Sequence, residues 1–170
     1  MIEIRADSSD EAPAIRRVHE QAFGRPNEAR LVELLHAANK ALASLVAMDD
    51  GQVLGHVLFS SVTIDPLQAD FNAVGLAPVA VLPDHQRQGI GSRLIREGLE
   101  RCRQAGYVAV VVLGDPHYYS RFGFKRASHY GLRNEYNADE HFMALELKEG
   151  ALRDLQGVVK YAPEFNEADC

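Results

Sequence analysis

The feature that most constrains the fold is an apolar run that passes through a polar loop into a glycine-bearing helix start. Val79–Val81 is apolar, the run ends at Pro83, and Gly89 and Gly91 lead into a stretch with helical periodicity. The first N–H groups of a helix have no acceptor within it, and glycine lets a ligand approach the backbone closely. The helix dipole also favours negative charge at this end. The segment therefore predicts a phosphate-binding turn between a strand and a helix.

A G-x-G pair alone is more often a tight turn than a ligand site, so its neighbours decide the interpretation. Gln86 and Arg87 precede the glycines, and Ser92 and Arg93 follow them, so several donors converge on one small volume. A dinucleotide-binding fingerprint does not fit, because the third glycine of G-x-G-x-x-G is missing. A P-loop does not fit either, because G-K-[ST] is missing.

The rest of the chain predicts a mixed α/β fold. A β-branched run after the glycine-led helix favours a strand–helix–strand unit with parallel pairing, whereas the earlier runs favour a hairpin. The predicted strands are 2–5, 45–48, 52–59, 73–81, 107–113, 125–127 and 141–147; the helices are a first one ending near Phe23, a second over 27–39, the glycine-led one from about Ile90, and a short one through Tyr119. Residues 62–72 and 128–140 are predicted to be loops.

Composition excludes several classes of protein. The 170 residues carry a formal charge of −6, which opposes a broad contact with nucleic acid. No apolar run approaches the roughly 20 residues that cross a bilayer, and the start lacks the order of a secretion signal, so we expect a cytoplasmic protein that does not bind membranes. Cys102 and Cys170 form neither a CxxC pair nor a disulfide framework, so we expect no metal.

Two motifs resemble those of the GNAT superfamily of acetyl-CoA-dependent N-acetyltransferases. Gln86–Gly91 matches the [QR]-x-x-G-x-[GA] loop of that superfamily, and Tyr118–Phe124 is similar to its Tyr-x-x-x-Gly-Phe segment. The resemblance covers about residues 2–147. Gly75–Val81, Leu113–Pro116 and the tail are most similar to the YhbS-like subgroup of predicted acetyltransferases.

This resemblance implies a GNAT fold, with a mixed central sheet whose fourth and fifth strands splay apart between flanking helices. We expect one domain over 1–170, with the tail 148–170 packing on the core. The resemblance also implies that the backbone after Gln86 binds the diphosphate of acetyl-CoA, and that the fourth strand pairs with the pantetheine arm. The implied cofactor-binding residues are Val79, Ala80, Val81, Gln86, Arg87, Gln88, Gly89, Ile90, Gly91 and Ser92.

The resemblance further implies roles in catalysis. Pro78 has no N–H and is a place for the ladder to break, which frees the Val79 amide to stabilise an oxyanion. Tyr119 falls where the superfamily has its proton-donating tyrosine, with Tyr118 as the adjacent alternative, and a phenol of pKa near 10 keeps its proton at neutral pH. Asp115 replaces an asparagine of many members, and we expect it to cap the next helix.

The predicted activity is direct transfer of an acetyl group from acetyl-CoA to a primary amine of a small molecule or protein. Two alternatives stay open: a non-catalytic acyl-CoA-binding or regulatory domain, and transfer of a longer acyl chain or to a hydroxyl. No general base is assigned; Glu28, His85, His117 and His129 are candidates without a distinguishing signal. The oligomeric state is open, with a homodimer as one option.

Overall fold

The computed structural model describes all 170 residues, which form nine strands and five helices in a mixed α/β arrangement. The strands are β1 (Glu3–Ala6), β2 (Ala41–Asp49), β3 (Gln52–Asp65), β4 (Ala73–Val81), β5 (Ala109–Leu113), β6 (Lys125–Arg126), β7 (Leu132–Asn134), β8 (Phe142–Glu146) and β9 (Gly157–Tyr161). The helices are α1 (Ala12–Phe23), α2 (Asn27–Ala37), α3 (Ile90–Gln104), α4 (Pro116–Tyr119) and α5 (Glu164–Glu167). None of the helices has the length and hydropathy that crossing a membrane requires.

The strands form one sheet in the order β1-β2-β3-β4-β5-β8-β6. Along this order only the β4–β5 pair is parallel, as the strand–helix–strand unit around α3 requires. β9 pairs with the second half of β3 and with β7, and so extends the sheet to one side. The predicted mixed sheet with flanking helices is confirmed.

Small residues in the sheet and in α3 let the helices approach the strands closely. A Cβ on Gly98 of α3 would lie 2.2 Å from Cε1 of Phe59, so only glycine allows this contact. Gly55 faces Ile90 and Leu94 of α3 in the same way. Since side chains alternate along a strand, His56 faces the opposite side, where it contacts α1. Helices α1 and α3 therefore cover opposite faces of the sheet.

The predicted splay of the fourth and fifth strands is present. β4 and β5 pair only over Ala73–Gly75 and Ala109–Val111. Beyond Gly75 the two strands separate, and β5 continues its pairing with β8 alone. The C-terminal half of β4 therefore has one unpaired edge, which faces a cleft.

Two regions predicted to be loops contain strands. Residues 62–65 continue β3, with Val62 and Ile64 buried and the residues between and after them pointing outward. Residues 132–134 form β7 inside the segment 128–140. Both segments pair with β9, which lies far away in the chain, so neither strand has a local signal. The tail 148–170 was expected to pack on the core. It does so with buried side chains, and it also contributes the strand β9 to the sheet.

The buried hydrophobic residues form one connected core. This core contains 45 residues and runs from Ile15 in α1 to Ala168 after α5, so the tail shares it with the rest of the chain. Leu152, Val159 and Phe165 supply tail side chains to it. The fold thus holds β4, α3 and the tail in fixed positions around the cleft.

Candidate active site

A bulge shapes the cleft-facing half of β4. Val79 is opposite Val57 and Leu76 is opposite Phe59, so Ala77–Pro78 is an insertion against one residue of β3. Proline has no N–H to donate to the ladder, which makes it suited to this position. The bulge lies where the sequence predicted the ladder to break, directly before Val79.

Backbone groups of β4 after the bulge point into the cleft. The Leu82 N–H donates to the Leu54 carbonyl at 2.8 Å and so points toward β3. Successive residues of a strand point their backbone groups to opposite sides. Val81 and Val79 lie one and three residues before Leu82, so their backbone groups point away from β3. The side-chain amide of Gln86 donates to the Val81 carbonyl at 3.0 Å from that open side. The edge of β4 can therefore pair with an extended ligand.

Free backbone amides line the turn between β4 and α3. No acceptor within the protein meets the N–H groups from Arg87 to Ser92. The first bond within α3 runs from the Arg93 N–H to the Gly89 carbonyl at 3.1 Å. Arg87 and Gly89 both have left-handed backbone conformations, with φ of 63° and 83°, and these turn the chain into the helix. We call the amides of residues 87–92 the amide turn.

The amide turn borders a cavity of about 400 Å³. Its other walls include Val81, Tyr118 and Arg121. The Arg121 guanidinium carbon lies 4.5 Å from the centre of the Tyr118 ring, which holds this cation beside the turn. Free amides, a helix N-terminus and arginine side chains are together the groups that bind a diphosphate.

Tyr118 and Tyr119 are adjacent in the chain but line different parts of the cleft. Tyr118 lies beside the amide turn, where its hydroxyl is 3.6 Å from the position that a Cβ on Gly91 would occupy. Tyr119 instead lines a cavity at the other end of the cleft, together with Pro78 and Val79. The two candidates for the proton donor are therefore separated by position.

Tyr119 is held in a tightly packed site. A Cβ on Gly114 would lie 2.3 Å from Cε2 of Tyr119, so glycine is needed for the ring to pack there. The Asp115 carboxylate accepts a hydrogen bond from the His117 N–H at 3.0 Å and caps α4, as predicted for this residue. Burial raises the pKa of Tyr119 to about 12, with a smaller contribution from Tyr118. Its hydroxyl therefore keeps its proton at physiological pH.

The cavity that contains Tyr119 has a volume of about 460 Å³, and we call it the apolar pocket. It is lined by Phe23, Glu28, Leu31, Leu76, Ala77, Pro78, Val79, Leu113, Tyr119, Tyr136, Tyr161, Phe165 and Cys170. A smaller cavity of about 280 Å³ runs along β4 and shares Val79 with the apolar pocket. That cavity also shares Val81 and Gly91 with the cavity at the amide turn. The three cavities thus follow one another along β4, and we call this series the path.

The structure brings most of the predicted site residues together along this path, but Gln88 lines none of the three cavities and the Arg93 side chain donates to the Ile2 carbonyl at 3.0 Å instead. The amide turn is at one end, the edge of β4 is in the middle and Tyr119 is at the other end. Ile90 contributes only its backbone, because its side chain is buried in the core. The sequence analysis missed Arg121, although it lies within the tyrosine motif, and most of the apolar pocket, whose residues come from distant segments.

A buried polar network connects α1 with β3 and β2 on the α1 side of the sheet. His19 and His56 are joined by a 2.8 Å contact between Nε2 and Nδ1, and His56 Nε2 contacts the Ser44 hydroxyl at 2.8 Å. Ser44 donates to Asp7 at 2.6 Å and contacts His36 at 3.2 Å. Potential ligand atoms of Asp7, His36 and His56 lie within 4.8 Å of one another, but the Ser44 hydroxyl already bonds to all three. The absence of a metal stays a prediction.

Comparisons with known proteins agree with this fold. A family model of an acetyltransferase (GNAT) domain matches residues 3–127. YhbS of Escherichia coli K12, an uncharacterized N-acetyltransferase, is 40% identical over 165 residues, which span 96% of this chain and 98% of YhbS. The chain therefore belongs to the GNAT family of acetyltransferases.

Two solved structures are similar over nearly the whole chain. The crystal structure of YhbS from Escherichia coli in complex with CoA has a TM-score of 0.92 and 38% identity, and the match covers 97% of this chain and 92% of that chain. A GNAT acetyltransferase from Brucella melitensis in complex with acetyl-CoA has a TM-score of 0.81 and 40% identity, with 97% and 98% covered. The predicted GNAT fold and acyltransferase class are confirmed.

Proposed function

We propose that this chain transfers the acetyl group of acetyl-CoA directly to a primary amine. The observation that carries the proposal is the path itself, which leads from the amide turn along the open edge of β4 to Tyr119. Similar proteins bind CoA and acetyl-CoA in the complexes described above, which supports the choice of donor. A path that is polar at the amide turn and mainly apolar beyond it suits a ligand with a charged diphosphate and a less polar thioester arm.

The amide turn would hold the diphosphate of acetyl-CoA. Free N–H groups of residues 87–92 supply hydrogen bonds, and Arg87 and Arg121 supply positive charge. The pantetheine amides would pair with the cleft-facing groups of Val79 and Val81, as an added strand pairs with a sheet edge. This arrangement places the thioester beside Val79, at the entrance to the apolar pocket.

The reaction would proceed through attack of a neutral amine nitrogen on the thioester carbon. A carbon–nitrogen bond forms and the carbon–sulfur bond breaks, so an amide and a CoA thiolate result. The Val79 N–H would stabilise the oxyanion, and Tyr119 would donate a proton to the thiolate and recover one from solvent. No general base is assigned, so in this scheme the amine releases its proton to solvent.

The rival function is a non-catalytic domain that binds acyl-CoA. The two are separated by measuring acetyl-CoA affinity by calorimetry, and CoA formation by chromatography with a panel of primary amines. Chromatography is preferable to a thiol reagent, because Cys170 is an exposed thiol that would itself react. Amine-dependent CoA formation supports the enzyme. Acetyl-CoA binding without CoA formation for any amine supports the rival, and no binding contradicts both.

A further inference from the structure

The apolar pocket has a composition that selects its ligand. Eleven of its thirteen lining residues are hydrophobic, and five are aromatic: Phe23, Tyr119, Tyr136, Tyr161 and Phe165. The pocket lies beyond Val79 and Tyr119, on the side of the thioester away from the amide turn. The acceptor must therefore enter or sit in this pocket for its nitrogen to reach the thioester carbon.

Among the side chains that line the pocket, one is charged. Glu28 lines it, and its side chain is only 9% exposed. Arg25 pairs with Glu28, with a 2.9 Å bond from Nε to Oε1, but Arg25 is itself half exposed and does not line the pocket. No lysine, arginine or histidine is among the lining residues. The pocket thus offers an acceptor for a cation and no partner for an anion.

From these observations we infer that the acceptor is a primary amine on a compact aromatic or similarly apolar body that carries no acidic group. The inference rests on the proposed function. Aromatic walls favour burial of a ring, and the Glu28 carboxylate attracts the ammonium form before it loses its proton. The acetyl group would end on that nitrogen, with release of CoA thiol and one proton.

The same features disfavour three other classes of acceptor. The carboxylate of an α-amino acid would be buried near Glu28 with no cation to pair with it. The second ammonium of a diamine such as putrescine would lose its water among apolar walls, and Glu28, the one charged acceptor there, already pairs with Arg25. A lysine side chain in a peptide has no ring to fill the pocket, and the pocket would have to admit the attached backbone.

The test compares acceptors that differ by one group. We expect 2-phenylethylamine to have a kcat/KM at least about a hundredfold higher than phenylalanine, because the two differ only by the carboxylate. Putrescine and a lysine peptide should be used at least about tenfold less efficiently than 2-phenylethylamine. Equal or better use of phenylalanine, putrescine or the peptide would overturn the inference while acetyl transfer itself stands. If acetyl-CoA binds and no amine yields CoA, the proposed function fails instead.

Two variants and one control test whether the acceptor binds in the apolar pocket. Tyr136 is partly exposed and lines the pocket, so Tyr136→Ser should raise KM for 2-phenylethylamine about tenfold with no change in KM for acetyl-CoA. Tyr130 is partly buried but is not a lining residue, so Tyr130→Ser is the matched control. Glu28→Gln keeps the shape of the side chain and should also raise KM for the amine. Equal effects of Tyr136→Ser and Tyr130→Ser would place the acceptor elsewhere.

Discussion

The two ends of the cleft are built in different ways. The amide turn uses backbone groups from one continuous stretch, residues 87–92, and its side chains contribute little to its shape. The apolar pocket uses side chains from α1, α2, β4, the α4 region and the tail. Under the proposed function, the first end binds the part of acetyl-CoA that is the same in every reaction, and the second binds the acceptor.

This difference explains which end has a sequence motif. A backbone site needs glycine and a helix start at fixed spacing, and that requirement is visible in the sequence. A side-chain site needs residues that meet only after folding, and many residue types can line it. Changes at one end should therefore affect acetyl-CoA alone, and changes at the other should affect chemistry or the acceptor.

The largest expected effect is on catalysis at the Tyr119 end. Tyr119→Phe removes the proposed proton donor and keeps the ring, so kcat should fall by about 10² to 10⁴-fold with little change in acetyl-CoA affinity. Tyr118→Phe is the control, because the Tyr118 hydroxyl lies beside Gly91 and should influence acetyl-CoA binding rather than kcat. Steady-state kinetics and calorimetry check both. An unchanged kcat in Tyr119→Phe would remove Tyr119 from the mechanism.

A substitution at the amide turn should affect binding almost alone. A Cβ on Gly91 would make ordinary contacts, at 3.6 Å from the Tyr118 hydroxyl and 3.8 Å from Val81, so Gly91→Ala fits. Gly91→Leu extends into the cavity and should weaken CoA binding about a hundredfold, or about 2.7 kcal/mol. Calorimetry and thermal unfolding of both variants test this. If Gly91→Leu bound CoA as tightly as Gly91→Ala, the diphosphate would lie elsewhere.

Acid should lower the stability of the whole fold rather than affect one end of the cleft, because a histidine pair is buried between α1 and β3. Burial lowers the pKa of His19 to about 3 and also lowers the pKa of His56. Although burial opposes it, hydrogen bonds from His36, His56 and Ser44 hold the pKa of Asp7 well below its usual range. The unfolded chain, with histidine pKa near 6.5, therefore binds protons that the folded chain does not, so stability falls with pH below about 6.5.

The expected slope is at least about 1.4 kcal/mol per pH unit between pH 6 and 5, since each histidine contributes up to one proton. Denaturant unfolding at several pH values measures it. His19→Phe removes one of the two histidines. The slope of stability against pH should therefore be smaller by the contribution of about one proton, even if the variant is less stable at pH 7. Equal slopes for the two proteins would contradict the low pKa of His19.

The smallest expected effect concerns the Tyr161 hydroxyl. This hydroxyl is buried and has no hydrogen-bond partner, while its ring packs against Gly75 and lines the apolar pocket. Tyr161→Phe removes an unsatisfied polar atom and should raise the free energy of unfolding by about 1 kcal/mol without changing acetyl-CoA affinity. Denaturant unfolding checks this. A less stable variant would mean that the hydroxyl has a partner in solution.

Local signals predicted most of the fold. Glycine spacing and the apolar run before it predicted β4, the amide turn and α3, and Pro78 predicted the bulge. The strands β7 and β9 were missed because each is short and gains its partners from distant parts of the chain. The one-domain assignment, the cytoplasmic location and the oligomeric state stay predictions, although the shared core supports the first.

For the site, the sequence could identify as candidates mainly residues that lie close together in one segment. The motif placed Tyr119 but could not show that Tyr118 lines the cavities at the amide turn and along β4 instead of the apolar pocket. His19 and His56 also escaped notice, because a single histidine in a helix or a strand gives no sign of a partner 37 residues away. The apolar pocket required the folded tail, which brings Tyr161 and Phe165 to Tyr119.

The most direct test of the account is amide hydrogen exchange, followed by NMR, with and without CoA. The account predicts that CoA slows exchange and shifts the resonances of the amides from Arg87 to Ser92, because their N–H groups gain oxygen acceptors. It would be contradicted if CoA bound by calorimetry while these amides kept their exchange rates and shifts and a different set of amides became protected.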